Sequence, residues 1–237
     1  MEETAKDTEQ EIYNTVLQLS YGFSAGEFKF KIYPLTLGKD MLLKQHVKAV
    51  ERISGIGSAN LQEMALRAVR TQKNEVLRIL AIYTLERKED LLDETSITSR
   101  MVDLDSVLEE DEEAALLVIC FQEQGKVVEL MDATGITDMR DRLAMVNKAK
   151  QQNRNSIPFG GLTIYGRLLD VACERYGWTL DYVLWGISVT NLQMMLADQM
   201  TSVFITDEEL KHIGEEDEVI DCDDPGNRNQ LHDFLNS

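Results

Sequence analysis

The chain has 237 residues, of which 43% are hydrophobic and 28% are charged, a composition typical of a soluble globular protein. Its net charge is −18, from 42 acidic and 24 basic residues. This excess disfavours nucleic-acid binding, because contacts with phosphates need a basic surface. Only 3 prolines and 14 glycines interrupt the chain, which argues against a fold of strands and tight turns.

Two segments carry the whole charge imbalance. Residues 86–113 hold 12 acids and 3 bases, and residues 206–237 hold 11 acids and 2 bases. The remaining residues hold 19 of each sign and are neutral as a group. Acidic segments of this kind are typically solvated, or they attract a basic protein partner.

The cysteines and the N-terminal sequence favour a cytoplasmic protein with reduced thiols. Cys120, Cys173 and Cys222 are far apart in sequence and odd in number, which fits neither a disulfide framework nor a zinc site. The N-terminal residues lack the basic and apolar regions of a signal peptide. No apolar run approaches the roughly 20 residues that a membrane span needs.

One β-element is predicted near the N-terminus, after a flexible segment over residues 1–18. Residues 27–33 alternate polar and apolar side chains, as in a half-buried strand. A turn at 24–26 would pair this strand with residues 19–23 in a hairpin. Because an isolated hairpin is marginal in water, we expect it to pack against helices or another chain. The apolar residues that share one face are Phe28, Phe30 and Ile32.

Helical periodicity covers most of the remaining chain. Apolar residues recur at helical spacing over 42–53, 61–83 and 164–176, which predicts amphipathic helices there. The polar run at 72–74 is expected to interrupt the second helix, and Gly177 is expected to end the third. The predicted fold class is therefore mainly α: a multi-helix, bundle-like protein with one small N-terminal β-hairpin.

The middle of the chain gives a weaker pattern. Residues 86–105 are predicted to form an acidic connection with weak helical character. Ser106 and Glu109 fit a capping box, which predicts the start of a helix that ends near Gly125. A further helix is expected from Thr137 onward, with a basic outer face.

The clearest predicted linker is the polar run at 151–161, which ends in proline and glycine residues. It would separate a hairpin-plus-helical region, residues 19–150, from a helical C-terminal region, residues 162–214. Residues 215–237 have no apolar periodicity and are predicted to form an acidic tail.

No pattern in the sequence is typical of an active site, so we expect no catalysis, no cofactor and no metal. His46 lies on the apolar face of its helix and is expected to be structural. The acidic run at 221–226 lacks the spacing of a calcium loop. One alternative stays open, a nucleotide-binding enzyme that uses the turn Phe159-Gly160-Gly161 before a helix, although a tight turn between helices explains the same glycines.

The most informative stretch spans residues 176–198 and holds both tryptophans. Trp178, Tyr182 and Trp185 are spaced as on one helical face, and aromatic residues and methionines are enriched at interfaces. We expect Trp178 to face the core, and Trp185 to be more exposed because Gly186 follows it. The candidate partner-binding residues are Trp178, Tyr182, Trp185, Met194 and Met195.

The run Tyr-Gly-Trp-Thr-Leu-Asp-Tyr at 176–182, between a helix and a short helix, resembles the small helical tail assembly chaperones of tailed bacteriophages. The run Phe-Lys-Phe-Lys-Ile-Tyr-Pro at 28–34 is similar to their start, where a hairpin leads into a first helix. The resemblance covers residues 20–55 and 160–205. It implies a homo-oligomeric, non-catalytic protein that coats a helical tape measure chain before the tail tube polymerises around it.

A second interpretation of the same resemblance is a structural role. The chain would then be a tail-completion or connector protein that stays in the particle. The acidic run from Glu215 to Asp224 could steer a basic client in the chaperone interpretation. Nucleic acid and membrane are not expected partners in either case.

Overall fold

The computed structural model describes residues 10, 12–54, 60–151, 163–198 and 202–206. A two-stranded hairpin precedes a succession of α-helices, which confirms the predicted mainly α fold. The helices that follow the hairpin are α1 (Leu37–Ser54), α2 (Leu61–Thr84), α3 (Lys88–Leu91), α4 (Glu94–Val107), α5 (Glu110–Ala133), α6 (Ile136–Gln151), α7 (Ile164–Tyr176), α8 (Leu180–Trp185) and α9 (Val189–Ala197). Within the described ranges, none of them has the length and apolar character that a membrane crossing requires.

The hairpin pairs β1 (Tyr21–Ala25) with β2 (Phe28–Ile32) in antiparallel register. Gly26 has a φ of 57°, a positive value that two-residue hairpin loops require at their first position. The turn therefore begins at Gly26, and the first strand starts two residues later than predicted. Of the residues predicted to share a buried face, only Phe28, next to the turn, is exposed.

Helix α2 is the centre of the larger core. It packs against α1, α4, α5 and β2, and its residues from Val76 to Thr84 are buried except for Arg78. The hydroxyl of Tyr83 donates to the carbonyl oxygen of Cys120 in α5 at 3.1 Å. The carbonyl oxygen of Tyr83 accepts the backbone N–H of Tyr33 at 2.9 Å. A helix apolar on all sides over two turns is stable only in such a central position.

The predicted interruption of α2 is confirmed at Gln72, where φ and ψ of −143° and 42° are not helical. The next residue, Lys73, pairs with Asp105 of α4 at 2.6 Å and lies 3.4 Å from Glu113 of α5. The Glu113 side chain is fully buried, and this burial raises the pKa of its carboxyl group. The kink thus places one lysine between the carboxylates of two neighbouring helices.

The acidic stretch at 86–105 is more regular than predicted, because it contains α3 and most of α4. Asp93 begins α4 by accepting the backbone N–H of Ser96 at 3.0 Å, as helix-capping aspartates do. Ile97 and Leu104 are its buried residues. Two apolar contacts two turns apart are enough to anchor this helix, but too sparse to give a clear periodicity in the sequence.

The predicted capping box at Ser106 and Glu109 is wrong. Ser106 lies in the last turn of α4, where its hydroxyl donates to a carbonyl oxygen of the same helix at 2.8 Å. The box forms one turn later, where the Glu112 carboxylate accepts the backbone N–H of Glu109 at 2.9 Å. Helix α5 then continues through Gly125, the expected boundary, and ends before Gly135, whose φ is 73°.

The described residues fall into two compact units: those up to 136 with 163–198, and 137–151 with 202–206. A separate helical region is predicted over residues 162–214, and its described residues 163–198 group with those up to 136. The predicted linker, apart from residue 151, and the predicted acidic tail lie outside the described residues.

Backbone contacts explain why 163–198 belongs with the N-terminal part of the chain. Thr36 and Ser188 form an antiparallel β-bridge. The backbone N–H of Val189 donates to the carbonyl oxygen of Leu35 at 2.7 Å. Backbone hydrogen bonding therefore joins the start of α9 to the segment between the hairpin and α1.

Within the segment predicted to be flexible, residues 1–18, the structure describes residues 10 and 12–18. Residues 12–16 are helical. The side-chain amide of Gln18 donates to the carbonyl oxygen of Gly186 at 3.4 Å and accepts the backbone N–H of Ser188 at 2.6 Å. These long-range hydrogen bonds are tertiary contacts, which a local pattern of polar residues does not indicate.

Candidate functional site

The predicted partner-binding residues lie on α8, on α9 and on the turn that follows α7. Each of the helices α7, α8 and α9 begins at a residue whose side chain caps it. The hydroxyls of Thr163, Thr179 and Ser188 accept backbone N–H groups at 3.1 to 3.2 Å, which satisfies donors that a helix start leaves free. Gly177 ends α7 with a φ of 65°, as predicted. These short helices follow one another with only a few residues between them.

A small core holds these three helices together. Its buried side chains come from α1, from α7 to α9 and from the turn before α9, and they are Leu37, Ala172, Val183, Ile187 and Leu192. The larger aromatic side chains of this region pack on its edge and are only partly buried. Tyr176 and Trp178 therefore pack on the small core and are half-buried, whereas Tyr182 is exposed.

Three aromatic rings contact one another in this region, and the backbone of one exposed methionine is bonded to the first of them. Tyr176 stacks on Trp178 with ring centroids 4.6 Å apart, and Trp178 meets Tyr182 edge-on at 5.1 Å. The Tyr176 hydroxyl donates to the carbonyl oxygen of Met195 at 3.1 Å. Tyr182 is 43% exposed and Met195 is 40% exposed. We call these residues the aromatic surface: Tyr176, Trp178, Tyr182 and Met195.

The structure places Trp185 away from this surface. Its indole ring lies against Gly38 of α1, so closely that a Cβ atom added at Gly38 would be 2.5 Å from the ring. Trp185 packs on the larger core, whereas Trp178 packs on the small one. Both tryptophans are half-buried, so the expected difference in exposure between them is not seen.

The three predicted aromatic residues do not share one helical face because α8 begins only at Leu180. Trp178 precedes the helix, and its position is set by the turn at Gly177 rather than by helical spacing. Of the two predicted methionines, Met195 joins the aromatic surface, and Met194 is half-buried. Sequence reasoning missed Tyr176, although its position directly before Gly177 is where a chain reversal can fold a side chain back onto the next residues.

Charged groups of both signs border the aromatic surface. The Arg175 guanidinium lies 5.6 Å from the centroid of the Tyr176 ring, within the range of a cation–π contact. Asp181 of α8 pairs with Lys88 of α3. Asp170 and Glu174 are exposed on α7. Exposed carboxylates on α7 and α8 therefore accompany a cation at the Tyr176 ring.

A second candidate site surrounds Lys39, a residue that sequence reasoning did not single out. Lys39 is only 2% exposed, and among the described residues its Nζ atom has no hydrogen-bond partner. Nζ lies 5.3 Å from the centroid of the Tyr33 ring. Burial lowers the pKa of Lys39 to about 7, because a charged amine is costly to remove from water without an acidic partner.

Lys39 lines an open cavity of about 170 Å³. The other polar groups of its wall include Tyr33, Thr36 and Glu86, and Trp185 supplies an apolar side. Glu86 is exposed. Burial, together with the nearby Glu86 carboxylate, raises the pKa of the Tyr33 hydroxyl, so this phenol stays protonated. The cavity thus combines a buried amine, a phenol and a carboxylate.

A larger cavity of about 380 Å³ lies between α1, α7 and α9. Its polar groups already pair with one another: the Tyr165 hydroxyl donates to Asp40 at 2.9 Å, and the Lys44 ammonium lies 4.8 Å from the Tyr165 ring centroid. Burial and the Asp40 carboxylate raise the pKa of Tyr165 to about 12. These groups already pair with one another and need no ligand, so this cavity is the weaker candidate.

The remaining candidates from the sequence are His46, the metal patterns and the glycine turn before α7. His46 bonds to Glu75 at 2.6 Å, a structural use of the side chain. Among the described residues, no group of three or more His, Cys, Asp or Glu side chains is placed to hold a metal ion. The turn at Phe159-Gly160-Gly161, on which the nucleotide-binding alternative rests, lies outside the described residues.

No protein-family model, curated protein or solved structure matches this chain. The function is therefore inferred from the aromatic surface.

Proposed function

We propose that this chain is a non-catalytic, tail-assembly-chaperone-like protein that binds a helical client of the tape-measure type. The observation that carries the proposal is the aromatic surface, where Tyr182 and Met195 stay 43% and 40% exposed beside the stacked rings of Tyr176 and Trp178. The resemblance of residues 176–182 to phage tail assembly chaperones supplies the class of client.

The geometry of this surface suits binding. The rings contact one another and the Tyr176 hydroxyl is bonded to the backbone at Met195, so their orientations are set before a partner arrives. Preorganised side chains lose less conformational entropy on binding. Aromatic residues are also the commonest energetic anchors of interfaces. A neighbouring methionine adds a contact that adapts to different apolar side chains.

The client that suits this surface is a helix with an apolar stripe and with basic residues on either side of the stripe. A helix presents apolar side chains at i, i+3, i+4 and i+7 to a partner, and a row of rings offers apolar contacts along such a stripe. A net charge of −18 favours association with basic flanks. A long tape measure chain of this composition would repeat such segments.

The direct test is co-expression with the product of the longest helical reading frame next to the gene of this chain. The double variant Tyr182→Ala with Met195→Ala should lower the affinity about 30-fold, since interface anchors contribute about 2 kcal/mol or more. A matched control is Tyr21→Ala with Met41→Ala, because these residues are 53% and 47% exposed and lie outside the aromatic surface. The measurement is co-purification, followed by titration of the purified pair.

Two results would contradict the proposal. One is failure of the wild-type chain to retain this client or keep it soluble. The other is an equal loss of binding in both double variants. Quantifying the chain in finished, purified particles separates the chaperone, which leaves, from a connector protein, which stays.

A further inference from the structure

The outer edge of β1 presents backbone groups that the hairpin does not use. Among the described residues, the one strand that pairs with β1 is β2. The two-residue loop closes on the pair Ala25 and Phe28, so hydrogen-bonded pairs recur at every second residue from there. The N–H and C=O groups of Gly22 and Ser24 therefore point away from β2, and no turn or loop hydrogen bond within the described ranges uses them. Both residues are exposed, so an extended segment can reach these four groups.

A hydrogen bond of the segment after β2 supports this alternation. The backbone N–H of Tyr33 points away from β1 and donates to the carbonyl oxygen of Tyr83 in α2 at 2.9 Å. Lys31 and Lys29 lie two and four residues earlier, so their N–H groups point to the same side. The hairpin thus has a second edge, on β2.

The two edges differ in charge. The β2 edge carries Lys29 and Lys31, which are both exposed, and charged side chains on an edge strand oppose pairing with a further strand. The β1 strand has no charged residue. It can pair with a copy of itself without placing like charges opposite each other, which matters in a chain with a net charge of −18. The β1 edge is therefore the one suited to a second copy.

We propose that two copies of this chain pair their β1 strands antiparallel about a two-fold axis, so that the two hairpins form one four-stranded sheet. Phe23 of each copy lies at the axis, and Gly22 of one copy is opposite Ser24 of the other. This register gives every outward group of both residues a hydrogen-bond partner. It also makes the interface self-complementary, as a two-fold dimer requires. The pairing needs no client, and none of its residues belongs to the aromatic surface.

The same register covers aromatic side chains that one copy leaves exposed. Tyr21 and Phe28 are 53% and 56% exposed, and they share a face of the hairpin with Phe23 and Ala25. In the dimer, Tyr21 of one copy lies beside Ala25 of the other, with Phe28 on the strand beyond. Because Ala25 is small, the two rings can approach each other over it. The second Phe23 ring would extend the stacked pair of Phe23 and Phe30, whose centroids are 5.4 Å apart.

The test is hydrogen exchange of single amides in the wild-type chain by NMR, with the mass followed by analytical ultracentrifugation. Pairing of five-residue strands gives a small interface, which binds weakly, so we expect the dimer to form between roughly 5 and roughly 500 μM. At the higher concentration the amides of Gly22 and Ser24 should exchange about tenfold more slowly, or slower still. The outward amides of Lys29 and Lys31 are internal controls, and their exchange should not change.

Two proline variants separate the edges. Ser24→Pro removes an outward N–H group from β1, and Lys29→Pro removes one from β2 at the residue directly opposite. Proline is tolerated in an edge strand where its position faces solvent. We expect Ser24→Pro to stay monomeric and Lys29→Pro to dimerise as the wild type does. Exchange in the wild-type chain carries the test even if a variant fails to fold.

Three results would overturn the proposal. One is a wild-type chain that is still monomeric at roughly 500 μM. Another is a dimer in which the Gly22 and Ser24 amides exchange as fast as in the monomer, since another surface would then hold it together. The third is slow exchange of these amides at every concentration, which would assign the edge to a segment of the same chain.

Discussion

The larger core around α2 and the small core under α7 to α9 use their tyrosines in opposite ways. Tyr83 of the larger core is fully buried, and its hydroxyl is bonded to the backbone of α5. Tyr182 at the edge of the small core keeps 43% of its surface exposed. The difference shows that one compact unit separates the residues that stabilise the fold from those available to a partner.

The cause of this difference is the size of the helices. Helix α2 has 24 residues and is surrounded by α1, α4, α5 and the hairpin. Helix α8 has 6 residues and packs mainly against α1 and α7. A helix of under two turns has too few neighbours to cover a large ring on every side, so its aromatic residues remain at the surface.

Leucine-to-alanine substitutions in the two cores should cause the largest losses in the free energy of unfolding. The loss should be larger in the core around α2 than in the small core. Leu80→Ala in α2 removes a side chain that is 1% exposed, and we expect it to lower the free energy of unfolding by about 3–5 kcal/mol. Leu192→Ala in α9 removes an equally buried one, at 0%, but we expect about 2–3 kcal/mol because the small core can relax more easily. Urea unfolding of both variants measures this, and a larger loss in Leu192→Ala would invert the comparison.

A pair of glycine substitutions tests how the two cores are joined. Gly38→Ala places a Cβ atom 2.5 Å from the Trp185 ring, and we expect a loss of about 1–3 kcal/mol from overpacking. Gly125→Ala in α5 meets no atom within 4 Å and should stabilise the protein by about 0.5–1 kcal/mol, the usual gain of alanine in a helix. Thermal melts compare the two, and equal effects would mean that Trp185 is not fixed against α1.

The buried carboxyl group of Glu113 should give a smaller and pH-dependent effect. Its pKa is raised by burial in the folded state, so folding retains a proton that the unfolded chain releases near pH 4.5. Stability is therefore lost as the pH rises above that value. Glu113→Gln has no such titration and keeps the Lys73–Asp105 pair, so it should be more stable than the wild type by about 1 kcal/mol at pH 7, with little difference at pH 4. Denaturant unfolding at both pH values checks this, and a loss of stability at pH 7 would show that the pair with Lys73 outweighs burial.

The parts of the fold that were predictable are those set by neighbouring residues. Gly177 and the interruption at Gln72 act within one or two turns, and the sequence displays them directly. The aromatic surface was predicted in part for the same reason, since Trp178 and Tyr182 are near one another in the chain.

Features that depend on distant residues were not predictable from the pattern. The position of Trp185 depends on the missing side chain of Gly38, which is far away in sequence. Lys39 looks like a surface residue between Gly38 and Asp40, but tertiary packing, including the Tyr33 ring, buries it. Ser106 fits the capping-box pattern, but it lies in the last turn of α4 and so does not begin α5.

The central claim is that the aromatic surface binds the client while Trp185 belongs to the fold. The chain has two tryptophans, so Trp185→Phe leaves Trp178 as the sole emitter and Trp178→Phe leaves Trp185. Titrating each variant with the helical client while recording tryptophan fluorescence tests the claim most directly. We predict a saturable change of emission in Trp185→Phe and none in Trp178→Phe. A change confined to Trp178→Phe, or binding without a change in either variant, would contradict the claim.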